Sequence, residues 1–332
     1  ADTGDPEEAL IVCTPLGRNA PKNSDYACFR AQLLTKLKSY DEAAIEYTRM
    51  LSLGSRQNEG LTERAKVYLA AGRWEDATKD LTELLRQSPK DVLLLQQRAR
   101  AQERMQSWPL AIADWTEIGL IESDNVEAME ARADAFLQVG ENSAAISDLA
   151  SILSFQPENT RIATRLARMH ASLEQWAQVA SVLTPVIARQ EADNSLTFLR
   201  AKALVELGDE TVALGDLNQV LSTEPDHTEA LAMRAQLLAA AGDMREALED
   251  LDHATEVSPD NMELVRLRAR IHADSGDRNA AIADLTRLIS QNPNETTALL
   301  TRAEMFKLIG EDDGAMADAD AILRREPSHA RA

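Results

Sequence analysis

Arginine and a carboxylate recur sixteen residues apart along this chain. Arg30 precedes Glu46, Arg64 precedes Asp80, Arg98 precedes Asp114 and Arg132 precedes Asp148. Further on, Arg200 precedes Asp216, Arg234 precedes Asp250, Arg268 precedes Asp284 and Arg302 precedes Asp318. Between the two runs the arginine position holds Leu166, and there the acid position holds Val182. The charges vanish together, so they belong together. The pattern predicts a charge-assisted bridge between two helices, within one unit or to the next, a contact that a planar guanidinium suits. An arginine ladder for ligands would give the acid no reason to disappear with the arginine.

Other reactive residues do not assemble into a catalytic pattern. The sequence contains no glycine-rich phosphate loop, GxSxG elbow, HExxH or CxxC pair, so no catalytic residue, metal ligand or cofactor is assigned. The five histidines are scattered. His170 and His272 share a helical position with Tyr68, Phe136 and Phe306, which makes them packing residues; His227, His253 and His329 fall in loops or on an outer helix. The stretches SPDNMELV and EPDHTEAL lack the alternating oxygen ligands of a calcium loop and read as helix N-caps before an acidic first turn. Tyr40, Trp74, Trp108 and Trp176 share a position just past a turn, where packing on a neighbouring helix is expected in preference to ligand stacking.

Charge and composition set the outer bounds. With 55 acidic and 35 basic residues among 332 the chain carries −20, which disfavours nucleic acid and anionic membrane as partners of the whole surface. No stretch approaches the ~20 apolar residues that span a bilayer. Hydrophobic residues at 44% predict a folded chain, and aromatics at only 4% leave alanine and leucine to pack it. The sequence begins at Ala1 with a polar segment to Glu8, as in a processed or trimmed chain. Its two cysteines, Cys13 and Cys28, allow two readings. One is a disulfide stapling an irregular N-terminal segment, 1–23, onto the first helical unit after it, which fits an exported or periplasmic protein. The other is a pair of reduced, half-buried thiols.

The elements that must position these residues emerge from four series at multiples of 34 residues. Pro89, Pro157, Pro225, Pro259, Pro293 and Pro327 end helical runs. Ala31, Ala65, Ala99, Ala133, Ala167, Ala201, Ala235, Ala269 and Ala303 form an unbroken series. Gly72, Gly140, Gly208, Gly242, Gly276 and Gly310 mark a turn, and Ala43 to Ala315 a second alanine series broken only at Val179. Apolar residues fall three or four apart between the markers. Each unit is therefore a helix, a turn and a second helix, packed through alanine and unable to bury its apolar face without a neighbour.

These markers resemble the tetratricopeptide repeat family, from Ser24 to Pro327. The resemblance implies an all-α, right-handed superhelical solenoid of nine units: 24–57, 58–91, 92–125, 126–159, 160–193, 194–227, 228–261, 262–295 and 296–327. Unit five departs from the pattern, with Leu166, Val179 and Val182, Glu191 for the terminal proline, and Pro185 inside its second helix. It reads either as one degenerate, hydrophobically packed unit or as a bend between two arms. Residues 328–332 match the opening of another helix.

The resemblance also implies that the first helix of each unit, helix A, lines a concave face that binds peptides or partner helices. The residue after the invariant alanine, which would look into that face, includes Lys66, Arg100, Arg168, Lys202 and Arg270; Arg104, Arg161, Arg165 and Arg266 would lie nearby. The expectation is a non-catalytic scaffold holding an acidic segment of a partner protein, against a plain solvated face. The asparagines of the family's carboxylate-clamp members are missing, which puts chaperone tails in doubt. Self-assembly through the C-terminal end, or service as an accessory subunit of an enzyme or secretion complex, are the alternatives.

Overall fold

A computed structural model of the chain describes residues 5–19, 23–54, 56–189 and 193–326. Pro327, His329, Glu191 and the segment 328–332 lie outside the described residues. Among the described residues there are nineteen α-helices and no strand. The chain divides into two compact units, 1–162 and 163–332.

In the first unit, α1 (Pro6–Asn19) precedes the pairs α2/α3 (Ser24–Lys36, Tyr40–Ser52) and α4/α5 (Gln57–Ala70, Trp74–Gln87). The pairs α6/α7 (Val92–Arg104, Trp108–Ile121) and α8/α9 (Val126–Gln138, Asn142–Phe155) come next. The division falls inside α10 (Thr160–Ser172), after which comes α11 (Trp176–Ala188). The second unit continues with α12/α13 (Asn194–Leu207, Glu210–Thr223) and α14/α15 (Thr228–Ala241, Met244–Val257). It ends with α16/α17 (Met262–Ser275, Arg278–Gln291) and α18/α19 (Thr296–Ile309, Asp312–Leu323).

Side-chain size explains why these helices pair. Ala31, Ala99, Ala133, Ala167, Ala201 and Ala235 on the first helices are fully buried, as are Ala43, Ala77, Ala111, Ala145, Ala213 and Ala247 on the second. A methyl group at each crossing lets the helices approach closely. Larger residues then fill the spaces to the next pair: Tyr47 and Met50 near the start, Trp115 and Ile118 in α7, Leu217 and Leu251 in the second unit. In the last pair, Ala303 and Ala315 are only half-buried.

Local chemistry starts most of the first helices, α4 and α18 excepted, and stops all of them. The side chains of Asn23, Asp91, Asn125 and Asp193 accept backbone N–H groups of the first turn, at 2.9–3.1 Å. At the equivalent place before α14 the cap is an imidazole: the Ala230 N–H donates to His227 Nδ1 at 3.2 Å. The stop is a residue in the left-handed region. Gly72, Gly140, Gly208, Gly242, Gly276 and Gly310 all have φ between 72° and 96°. Lys38, Gln106 and Glu174 occupy the same place in the repeats without glycine, at φ 55–58°. The next residue closes the helix, as where the Asp243 N–H reaches the Leu238 carbonyl at 2.9 Å.

The fifth pair keeps its helices without the charges. Leu166 and Val179 are buried, Val182 is half-buried, and α11 runs through Pro185 to Ala188.

Candidate functional site

Two constellations occupy different places on the helix pairs. In the first, seven arginines meet an aspartate side-on. Arg64 donates from Nε to Asp80 Oδ2 at 2.8 Å and from Nη2 to Asp80 Oδ1 at 2.6 Å. The same fork joins Arg98 to Asp114, Arg132 to Asp148, Arg200 to Asp216, Arg234 to Asp250, Arg268 to Asp284 and Arg302 to Asp318. All these aspartates are buried, so the arginine supplies what water cannot. The guanidinium is held firmly in its charged form by that hydrogen bond in Arg64, Arg132, Arg234 and Arg268.

Six of the seven arginines have a third contact, to the preceding pair. Nη1 donates to Thr48 from Arg64 at 2.9 Å, to Thr82 from Arg98 at 3.1 Å and to Thr116 from Arg132 at 3.3 Å. In the second unit Arg234 reaches Asn218 and Arg268 reaches Asp252, both at 2.8 Å, and Arg302 reaches Thr286 at 2.9 Å. Each such arginine therefore ties its own second helix to that of the pair before it. Arg30 differs because its acid is Glu46. The longer side chain is met by Nη1, and Arg30 Nε is buried without a hydrogen-bond partner.

The second constellation is the outer face of helix A. Lys66, Arg100, Arg168, Lys202 and Arg270 are all exposed there, each beside its buried alanine. Arg104, Arg161 and Arg266 are exposed as well, and Arg165 is half-buried. This face is not simply basic, because it brings its own acids. Lys66 pairs with Glu63 at 2.6 Å, Arg100 with Glu127, and Arg161 Nη2 with Glu130 at 2.6 Å. Arg266 is held by Glu263 and, at 2.8 Å, by Glu295. Glu127 and Glu263 sit in first turns, where the helix dipole alone accounts for an acid, so their sequence position did not mark them as partners. Two other cations stand over tryptophan rings: Arg104 over Trp74 at 5.9 Å and Lys202 over Trp176 at 5.5 Å. Trp74, Trp108, Trp176 and Tyr40 are half-buried.

In the second unit this face is hollowed. A cavity of about 370 Å³ lies between α12 and α14, lined by Phe198, Lys202, Ala232, Met233, Gln236 and Leu264. A second, about 290 Å³, shares Ala232, Gln236 and Leu264 and adds Leu267, Arg266 and Arg270. A third, about 340 Å³, shares Arg266 and Arg270 and is floored by Leu285, Leu288 and Met305. The three form one run of apolar hollows with charged rims, which suits side chains of another polypeptide.

Cys13 and Cys28 are both buried and both free thiols, so the structure does not contain the disulfide. Cys13 is fixed instead through its backbone, whose carbonyl accepts the Tyr26 hydroxyl at 2.7 Å. Burial pushes the Cys28 thiol above its ordinary range. Among the described residues no cluster of histidine, cysteine or acid could hold a metal, and no helix is long and apolar enough to cross a membrane.

Sequence profiles described as tetratricopeptide repeat match residues 62–123, 204–271 and 266–330, together more than half of the chain. The chain belongs to the tetratricopeptide repeat family. Membership places it among protein–protein interaction scaffolds. No curated protein sequence matches it. Among solved structures, a chain of the Naa15/Naa10 complex bound to HypK-THB is similar at 17% identity and a TM-score of 0.59. That likeness covers 82% of this chain but only 43% of the other, and at such identity it concerns the fold. A tetratricopeptide repeat protein from Parabacteroides merdae aligns over 75% of this chain and 98% of its own, at 16% identity and a TM-score of 0.42. YrrB, described as a tetratricopeptide protein with an unusual peptide-binding site, aligns over 56% of this chain and 95% of its own, at 18% identity and a TM-score of 0.48.

Proposed function

We propose that this tetratricopeptide chain is a non-catalytic scaffold whose second unit grips an acidic segment of a partner protein along α12, α14, α16 and α18. The observation that carries the reading is the unbroken run of three hollows, apolar below and charged at the rim. Apolar side chains of the segment would fill the hollows, and its carboxylates would meet Lys202 and Arg270. The arginines of the Arg–Asp ladder are not available for this role, because each is already engaged by a buried aspartate and six of the seven also hold the preceding pair. The paired cations Lys66, Arg100, Arg161 and Arg266 contribute little net attraction, since acids on the same face neutralise them. Attraction to the remaining cations, exposed at the rim, is screened by salt.

The test uses the full chain and an array of random 12-residue peptides at about 50 and 500 mM sodium chloride, one on each side of the range in which screening becomes strong. Bound peptides should combine apolar with acidic residues and weaken at least tenfold in high salt. Ala232→Trp, which fills the first two hollows, should abolish binding. Peptides that ignore both salt and Ala232→Trp contradict the proposal.

A further inference from the structure

Arg266 and Arg270 lie one turn apart on α16, yet their surroundings differ sharply. Arg266 donates from Nε to Glu295 at 3.1 Å and from Nη2 to the same carboxylate at 2.8 Å, and its Nη1 meets Glu263. Its charge is answered within the chain. Arg270 is exposed and makes no ion pair among the described residues. It also stands where the second and third hollows meet, lining both. The floor on one side is Leu264 and Leu267; on the other it is Leu285, Leu288 and Met305.

Resting on the groove reading above, we infer that Arg270 sets the register and sequence of the bound segment. It selects one carboxylate flanked by two apolar side chains. The spacing comes from geometry. The two hollows share α16 as their common wall, and packed helices stand about 10 Å apart. An extended chain rises about 3.3 Å per residue, so about three residues separate the two apolar anchors, with the acid between them. Gln236, at the same position on α14, offers no competing charge. A guanidinium between two apolar pockets recognises a planar carboxylate by a two-bonded fork, which a lysine there would not reproduce.

The experiment selects 12-residue peptides from a random phage-displayed library on the full chain, then measures one selected peptide, carrying fluorescein, by anisotropy. The enriched sequences should show two apolar residues about three apart with aspartate or glutamate between them. Arg270→Glu should weaken the peptide at least tenfold, and replacing the peptide's acid by lysine should restore binding to that variant. Arg270 is exposed and unpaired, so the variant should melt with the parent chain. If the peptide binds Arg270→Glu unchanged but is lost on Ala232→Trp, the inference fails and the groove reading stands. If neither variant matters, or no sequence is enriched, both fail.

Discussion

Arg234 and Asp250 meet side-on, Nε to Oδ2 at 2.8 Å and Nη2 to Oδ1 at 2.6 Å, joining α14 to α15 at a place where the aspartate is 7% exposed. The arginine side chain, at 25% exposed, still reaches water, and its Nη1 holds Asn218. The two partners are therefore unequal. Arg234→Leu strands a buried carboxylate and should cost this pair about 3 kcal/mol. Asp250→Ala leaves a guanidinium that can hydrate and should cost about 2 kcal/mol. The double change to Leu and Val copies positions 166 and 182 of the fifth pair and should fall within about 1 kcal/mol of the parent chain. Native-state hydrogen exchange in α14 and α15 reads all three locally. Additive losses in the double variant would show that the residues do not act as a pair.

The first rung of the ladder is the imperfect one. Glu46 reaches too far for the fork seen at the seven aspartates, and Arg30 Nε is left buried and unbonded. Glu46→Asp should let the carboxylate meet Nε and Nη2 together and stabilise α2/α3 by about 1 kcal/mol. A loss of stability, by the same exchange measurement, would mean that the longer acid is needed for its second contact with Arg49.

Helix stops separate two substitutions by sign. Gln106 holds φ 57°, and a side chain there costs about 1 kcal/mol, part of which glycine recovers. Gln106→Gly should therefore raise the thermal midpoint. Gly242 holds φ 96° with nothing within 4 Å of a Cβ built on it, so Gly242→Ala should lower stability by about 1 kcal/mol for conformational reasons alone. Changes of the same sign would contradict the shared role of the two positions.

Glu103 accepts the Trp115 indole N–H at 2.7 Å, and burial pushes its carboxyl above the ordinary glutamate range despite that bond and the nearby Arg100 and Arg104. The folded chain thus holds this proton more tightly than the unfolded chain. Its contribution to stability is present below the ordinary value, about 4, and is lost as pH rises through the raised one. Glu103→Gln keeps an acceptor for the indole and removes the charge. Denaturation across pH 4–8 should show the variant equal to the parent in acid and more stable near neutrality. The reverse order would mean that the two arginines outweigh burial.

Sequence made some of this visible and hid the rest for specific reasons. The arginine and acid positions stood out because one residue type recurs at each, and because both are apolar together in the fifth pair. The Nη1 acceptors did not, since Thr48, Asn218 and Asp252 share an oxygen but not an identity. Six glycines announced the helix stop, whereas Lys38, Gln106 and Glu174 take the same conformation without the residue that advertises it. The cations of the helix A face could be counted, but ion pairs such as Arg100 with Glu127 join residues 27 apart, a separation that depends on how successive first helices lie beside one another. The hollows depend on that packing too.

Amide hydrogen exchange of the full chain, with and without a selected acidic peptide, probes the groove itself. Exchange should slow in α12, α14, α16 and α18, most strongly around Arg270, with α13, α15, α17 and α19 unchanged. Protection confined to those second helices, or none at saturating peptide, would contradict binding in the groove.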